Sequence, residues 1–183
     1  MSLPHALLTA LVERPCTGAE LVRRFDRSIG YFWQATHQQI YRELGRLEEA
    51  GWVESEPVAE GPGRQRAYRV LPAGRKELKR WIGVQDKPVT LRDALMVRLR
   101  AEAALGPSGL DRVIRKRIEL AQQRLQDYLQ IEQRDFSVDM DMRADTRERK
   151  LQHLVLKAGI AAERLRIEQA QEALQILALP PSR

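Results

Sequence analysis

The sequence predicts a mainly α chain in two halves, with one small β-hairpin in the first half and long helices in the second. Three observations predict it. Apolar residues recur at helical spacing through most of the chain, and one segment rich in Gly and Pro, AEGPGRQR, separates two short strand-like runs. Beyond residue 110 the apolar stripes become long and narrow, between strongly charged flanks.

The first helix is expected over Leu3 to Glu13, where Leu7, Leu8, Leu11 and Val12 share a face and Pro15 follows as a stop. Thr17-Gly18-Ala19-Glu20 is a capping box: a Thr side chain accepts from a backbone N–H three residues on, and the Glu reaches back. Leu21, Val22 and Phe25 then give a second helix that closes near Ser28. Gly30 to Ala35 reads as a turn holding Tyr31, Phe32 and Trp33.

The next stretch, Thr36 to Val53, organises the rest. Thr36 and Gln39 form a second capping box, Ile40, Leu44 and Leu47 commit one face to a core, and Gly51 supplies a left-handed stop. At 100° per residue the opposite face carries Gln38, Arg42, Gly45 and Glu49, flanked by Tyr41 and Arg46. With His37, that surface offers amide, guanidinium, phenol and imidazole donors, which base edges and phosphates accept. Trp52 to Val58 and Arg66 to Leu71 follow as strands, with Arg64 and Arg66 expected at the hairpin tip. Three helices and then a hairpin make a winged helix-turn-helix, in which the third helix enters a groove and the wing lies along the backbone.

Pro72 to Ile82 starts a connecting helix, with Leu78, Trp81 and Ile82 expected to face inward. Gly83 to Val89 breaks the periodicity, which places the domain boundary between 85 and 86. Leu91 to Leu105 reads as a helix interrupted by Gly106-Pro107-Ser108-Gly109. Over Leu110 to Arg134 the positions Ile114, Ile118, Ala121, Leu125 and Tyr128 step by four and three, and over Thr146 to Leu177 so do Leu151, Val155, Ala158, Ala162 and Leu165. Such seams call for a partner, although a self-contained helical hairpin is the alternative.

Composition bounds the function. Among 183 residues, Lys and Arg outnumber Asp and Glu by 31 to 25, a formal +6 spread over both halves, so DNA binding must rest on where charge is placed. The single cysteine, Cys16, excludes an intramolecular disulfide and suits a reducing cytoplasm as a small buried residue. The apolar opening lacks a basic n-region, and no run approaches the roughly 20 apolar residues of a membrane span. A soluble cytoplasmic protein is expected.

No catalytic, metal or cofactor site is expected. Asp139, Asp141 and Asp145 lack the glycine and the closing glutamate of a calcium loop and read as a solvated linker. His5, His37 and His153 are scattered away from metal-ligand spacing, and no phosphate loop or nucleophile motif is present. Trp33, Trp52 and Trp81, with Phe32 and Tyr31, serve either core packing or a pocket for an aromatic effector.

Thr17-Gly18, Phe32-Trp33, Ile40-Tyr41, Leu44, Leu47, the run Glu48 to Gly51, Tyr68 and Gly74 together carry a resemblance to the PadR family of bacterial transcriptional regulators. It covers nearly all of the first 85 residues. The resemblance implies a winged-helix domain that binds an operator as a dimer, usually as a repressor, with Tyr41 and basic residues of the helix and wing meeting the DNA. It also implies that some members answer phenolic acids or hydrophobic drugs, so an effector stays open and no residues are assigned to one. Three positions depart from the family pattern: Ala19 for an aromatic, Gly45 for a basic residue, and Leu71 for a capping threonine. Gly45 removes one contact that the resemblance implies. The second half is similar, more weakly, to larger PadR members with a helical dimerisation unit of the virulence-activator type, in which the last helices cross to the other protomer.

The expectation is a homodimeric transcriptional regulator, repressor rather than activator, binding double-stranded DNA at a palindromic operator through helix 37–50 and wing 58–67. Its DNA-binding domain is 1–85 and its dimerisation domain 86–183. Gln38, Arg42 and His37 are expected in the groove, Tyr41 and Arg46 on nearby phosphate, and Arg64 and Arg66 from the wing. The rivals are a winged-helix adaptor that binds protein without DNA, and a regulator similar to the MarR class, whose dimer helices flank the DNA-binding unit at both ends.

Overall fold

In a computed structural model, which describes residues 3–27, 35–58, 65–85, 93–136 and 146–180, the chain forms two compact units, Met1–Pro88 and Val89–Arg183. The first holds α1 (Leu3–Glu13), β1 (Cys16–Thr17), α2 (Gly18–Arg27), α3 (His37–Glu49), β2 (Val53–Pro57), β3 (Arg66–Val70) and α4 (Pro72–Ile82). The second holds α5 (Ala94–Leu105), α6 (Leu110–Phe136) and α7 (Arg147–Leu177). The expected boundary at 85/86, the aromatic turn of Tyr31, Phe32 and Trp33, the wing tip with Arg64, and the Asp139 to Asp145 segment all involve residues outside those described.

The apolar spacing of the first three helices builds one core. Leu7, Leu8, Leu11, Leu21, Phe25, Ile40, Leu44, Leu47 and Val53 are each almost wholly buried, and Trp52, Tyr68, Val70 and Trp81 pack around them. Burying such side chains contributes about 1.5–3 kcal/mol each before the cost of ordering them. Both capping boxes are formed. Glu20 N donates to Thr17 Oγ1 at 3.2 Å while Thr17 N donates to Glu20 Oε2 at 2.9 Å, and that second bond holds the Glu20 carboxyl below its ordinary range. Thr36 and Gln39 repeat the pair, at 3.2 and 2.8 Å.

Gly51, at φ +67°, ends α3. Its N–H bonds the Glu48 carbonyl at 2.9 Å and that of Trp52 the Leu47 carbonyl at 2.9 Å, the Schellman pattern, which turns the chain directly into β2. The sheet is antiparallel with order β1-β3-β2. Val53 faces Val70, Ser55 faces Tyr68 and Pro57 faces Arg66; Cys16 faces Tyr68 across the other edge. The two-residue β1 is too short for any periodicity to announce it. It forms because the buried Cys16 joins the start of α2 to the wing strand.

Leu71 caps α4 without a side-chain bond, and Pro72 takes the first helical position, as expected. Leu78 and Trp81 pack on the core, but Ile82 is 72% exposed, against expectation. His5, from α1, packs on α4 at Trp81 and Glu77: its ring stacks on Trp81 with centroids 4.5 Å apart, and Nε2 lies 3.2 Å from Glu77 Oε1.

In the second unit Asp93 caps α5 through the Leu95 N–H and takes a two-pronged bond from Arg117 of α6, which is the main reason its carboxyl titrates low. Ile114, Ala121 and Tyr128 of α6 are buried as their spacing predicts. Tyr128 lies against Gly159, where a Cβ would stand 3.2 Å from the ring. The α7 residues turned inward are Ile160, Glu163, Ala170 and Ala173, whereas the expected seam residues Leu151, Val155 and Leu165 are 46%, 49% and 53% exposed. Residues two apart, such as Ala158 and Ile160, sit about 200° apart on a helix, so α7 carries two apolar stripes on opposite sides. One is covered within the unit and the other is open. Between the helices the buried Glu163 is held by Arg124 at 3.2 Å and Arg166 at 2.5 Å.

Candidate nucleic-acid interface

The cap and the Schellman turn fix both ends of α3, and the Ile40, Leu44, Leu47 face anchors its length. What remains outward is the polar face. His37, Gln38, Tyr41, Arg42 and Arg46 are all exposed, Tyr41 by 48%. Gln38 and Arg42 are one helical turn apart and present an amide and a guanidinium on one line. No described carboxylate forms an ion pair with Arg42. Arg46, with most of its side chain exposed, leans on the partly buried Glu43 at 3.3 Å.

Two glycines shape this surface in different ways. A Cβ on Gly18, the first residue of α2, would stand 2.7 Å from Tyr41 Cε1, so the tyrosine ring lies flush on the N-terminus of α2. A Cβ on Gly45 would meet nothing within 4 Å. Gly45 is therefore not required by packing, and leaves the outer face of α3 low at that point.

The wing is closed at its root by the Val58 N–H to the Gln65 carbonyl at 3.0 Å. Arg64 lies outside the described residues. Arg66, expected where the tip meets the second strand, opens β3 as that strand's expected start, and the two-residue alternation puts its side chain on the same sheet face as Tyr68, Ser55 and Val53. There Nε donates to Ser55 Oγ at 2.6 Å, while NH2 donates to the Ser55 carbonyl at 3.0 Å and reaches Glu48 Oε1 at 3.4 Å. Ser55 Oγ itself donates to Glu48 Oε1 at 2.6 Å. Tyr68 stands beside this group, and burial, with Glu48 nearby, pushes its phenol upward. The outer face of the hairpin carries Arg69, paired with Glu54 and, at 3.9 Å, with Glu56. Sequence reasoning placed neither Ser55 nor Glu48 at this site. Strand alternation, carried back from Tyr68 and Val70 to Arg66, was the signal available.

A capped helix with a polar outer face, followed directly by an antiparallel wing, defines a winged helix-turn-helix regulator. Comparison with known proteins agrees at both ends of the chain. Residues 7–80 match the Transcriptional regulator PadR-like family, and residues 91–178 match the Virulence activator alpha C-term family. The chain belongs to the PadR-like family of transcriptional regulators. It is 39% identical to a probable transcriptional regulator of Mycobacterium tuberculosis, over 97% of this chain and 98% of that one. With the negative transcriptional regulator PadR of Bacillus subtilis it shares 27% identity over 68% of this chain and 70% of the relative. Among solved structures, the Vibrio cholerae virulence activator AphA superposes with a TM-score of 0.77 at 30% identity, covering 96% of this chain and 98% of that one. Bacillus subtilis PadR in complex with operator DNA gives 0.80 at 21% identity, covering 96% and 98%, a likeness of fold.

Proposed function

We propose that the chain acts as a homodimeric repressor that binds a palindromic operator, reading the groove through Gln38, Arg42 and His37 and holding phosphate through Tyr41, Arg46 and the wing. The observation that carries this reading is the outward face of α3. It is rigidly capped at both ends and presents Gln38, Tyr41 and Arg42 to solvent. An amide and a guanidinium at a helix surface suit adenine and guanine edges in the major groove. Repression is supported by the negative regulator of Bacillus subtilis among the relatives, and operator binding by the DNA complex of that protein.

In this reading the first unit binds DNA and the second pairs the protomers. The open apolar stripe of α7 supports the pairing, because Leu151, Leu154, Val155 and Leu165 lie exposed along one side of a 31-residue helix. A twofold protein must set its two recognition helices about one turn of DNA apart, roughly 34 Å. The protein works in the cytoplasm without catalysing a reaction, and no described helix is long and apolar enough to cross a membrane. A small-molecule effector enters only as a class: a structure of Bacillus subtilis PadR contains p-coumaric acid.

Fluorescence anisotropy on duplex DNA from immediately upstream of the protein's own gene, against a scrambled duplex and across a salt series, tests the reading. Selective binding that weakens steeply with salt is expected. Equal affinity for both duplexes would leave that DNA without an operator and send the search to other promoters. Absence of binding to any duplex at low salt would favour the protein-binding adaptor.

A further inference from the structure

Arg66 is, with Arg64, one of two wing residues expected to meet DNA. In the structure its guanidinium is engaged by Ser55 and Glu48. We propose that Arg66, Ser55 and Glu48 form a clamp that fixes the wing to the end of the recognition helix, so that Arg66 is a positioning residue and Glu48 the acceptor on which it closes. This rests on the reading of α3 and the wing as the DNA-binding surface.

Four features carry it. Arg66 opens β3 on the inner face of the hairpin, sharing that face with Val53, Ser55, Tyr68 and Val70, of which Val53 is in the core. Its guanidinium is used twice on Ser55, once on the hydroxyl and once on the carbonyl, and reaches Glu48 with the same NH2. Ser55 Oγ then donates to Glu48 Oε1, closing a three-residue ring across β3, β2 and α3. Finally, Glu48 stands in the last turn of α3, where an acid opposes the helix dipole and lends the helix nothing. A carboxylate beside a DNA-binding face also repels phosphate. Its place is explained by what it holds.

The network is half-exposed: the Arg66 side chain is 48% accessible and that of Glu48 39%. Pairs of that kind add little to global stability. They can still set an angle: Val53, Tyr68 and Val70 seat the root of the hairpin on the core and β1 pairs with Ala67 and Tyr68, whereas Ser55 and Arg66 tie its outer end to α3. A wing free to swing must be ordered again each time DNA binds.

The test separates a clamp from a phosphate contact by opposite signs. Binding to the operator duplex is measured across a salt series for wild type, Arg66→Lys, Arg66→Ala and Glu48→Ala, with amide hydrogen exchange of Val53–Pro57 and Arg66–Val70 followed in the DNA-free protein. A clamp predicts that Arg66→Lys, which keeps the charge but loses the fork, binds about as poorly as Arg66→Ala. It predicts that Glu48→Ala weakens operator binding about tenfold although it removes a negative charge, that the salt slope is unchanged, and that exchange in both strands quickens. A phosphate contact predicts the reverse: Arg66→Lys binds nearly as wild type, Arg66→Ala lowers the slope by about 1, and Glu48→Ala binds as tightly as wild type or tighter. That second pattern, or strand exchange unmoved by Glu48→Ala and Arg66→Lys, would overturn the proposal. If wild type itself shows no selective binding on any duplex, the regulator reading fails separately, while the exchange measurement still decides the clamp.

Discussion

Gly18 and Tyr41 are in direct contact: a Cβ on Gly18 would come within 2.7 Å of Tyr41 Cε1 and 3.5 Å of the hydroxyl oxygen. The first residue of α2 thereby sets where the phenol of α3 stands. Since Tyr41 is half-exposed, an added methyl is relieved by tilting the ring outward, not by breaking the core. Gly18→Ala is expected to leave the fold intact and weaken operator binding by about 1 kcal/mol, roughly fivefold, through a misplaced phenol hydrogen bond. The check is a double-mutant cycle with Tyr41→Phe by anisotropy. Additive effects of the two substitutions would show that Gly18 does not act through Tyr41.

Gly45 lies on the same helix with open space around it. A glycine inside a helix with room for a Cβ destabilises it relative to alanine by about 0.5–1 kcal/mol. Gly45→Ala is therefore expected to raise the unfolding midpoint of the first unit. If the bare backbone lets DNA approach closely, the same substitution weakens operator binding. Stability and affinity then move in opposite directions, which calorimetry and anisotropy on one sample would reveal. Arg42→Ala, one turn away, should cost about 1–3 kcal/mol of binding if it reads a base with both prongs, and less on phosphate.

Gly74 admits no such freedom. A Cβ there would lie 2.3 Å from the Trp52 carbonyl oxygen and 2.9 Å from Val70 Cγ1, and that carbonyl already accepts the Leu71 N–H at 2.9 Å. Because backbone blocks the site, relief requires α4 to move off the sheet. Gly74→Ala should destabilise the first unit by about 1–3 kcal/mol or more. All three tryptophans fall within the first 81 residues, so urea titration followed by tryptophan emission reports this unit selectively. An unchanged midpoint would contradict the packing described.

The pH dependence of the first unit should carry the mark of Glu77. Arg80 grips its carboxylate at 2.7 and 2.6 Å and His5 adds a third bond at 3.2 Å, holding its pKa down at about 2 against an ordinary value near 4.5. A carboxyl depressed in the folded state stabilises fully above its unfolded pKa, and that contribution fades as pH falls through the folded one. The urea midpoint should hence decline between about pH 4.5 and pH 2, and Glu77→Gln should flatten that decline. A parallel decline in the variant would assign acid sensitivity elsewhere.

The local elements were legible because their signals are local. Thr36 with Gln39, Thr17 with Glu20, Gly51, and the 3.6-residue spacing of Leu7, Leu11, Ile40 and Leu44 each act within a few residues, and each appears in the structure where its chemistry placed it. What escaped was long-range. The pairing of Cys16 with Tyr68, the stacking of His5 on Trp81 and the bond from Arg66 to Glu48 join residues that no window spans. On α7 periodicity picked out the stripe of Leu151, Val155 and Leu165, whereas the covered side carries Ile160, Glu163, Ala170 and Ala173. A paired carboxylate such as Glu163 and a small residue such as Ala170 carry little apolar signal to read.

The open stripe gives the last prediction. Leu151 and Val155 point away from α6, so a charge there disturbs no packing inside the unit, whereas Ala170 is wholly buried between the helices. Leu151→Glu with Val155→Glu should leave helix content unchanged while shifting sedimentation equilibrium from dimer to monomer. Operator affinity should fall with it, because two linked half-sites bind with a high effective concentration that separate monomers lack. Ala170→Glu should instead lower helix content, by forcing a charge into the core of the second unit. A double variant that stays dimeric would place the protomer contact on another face and leave the α7 stripe without that role.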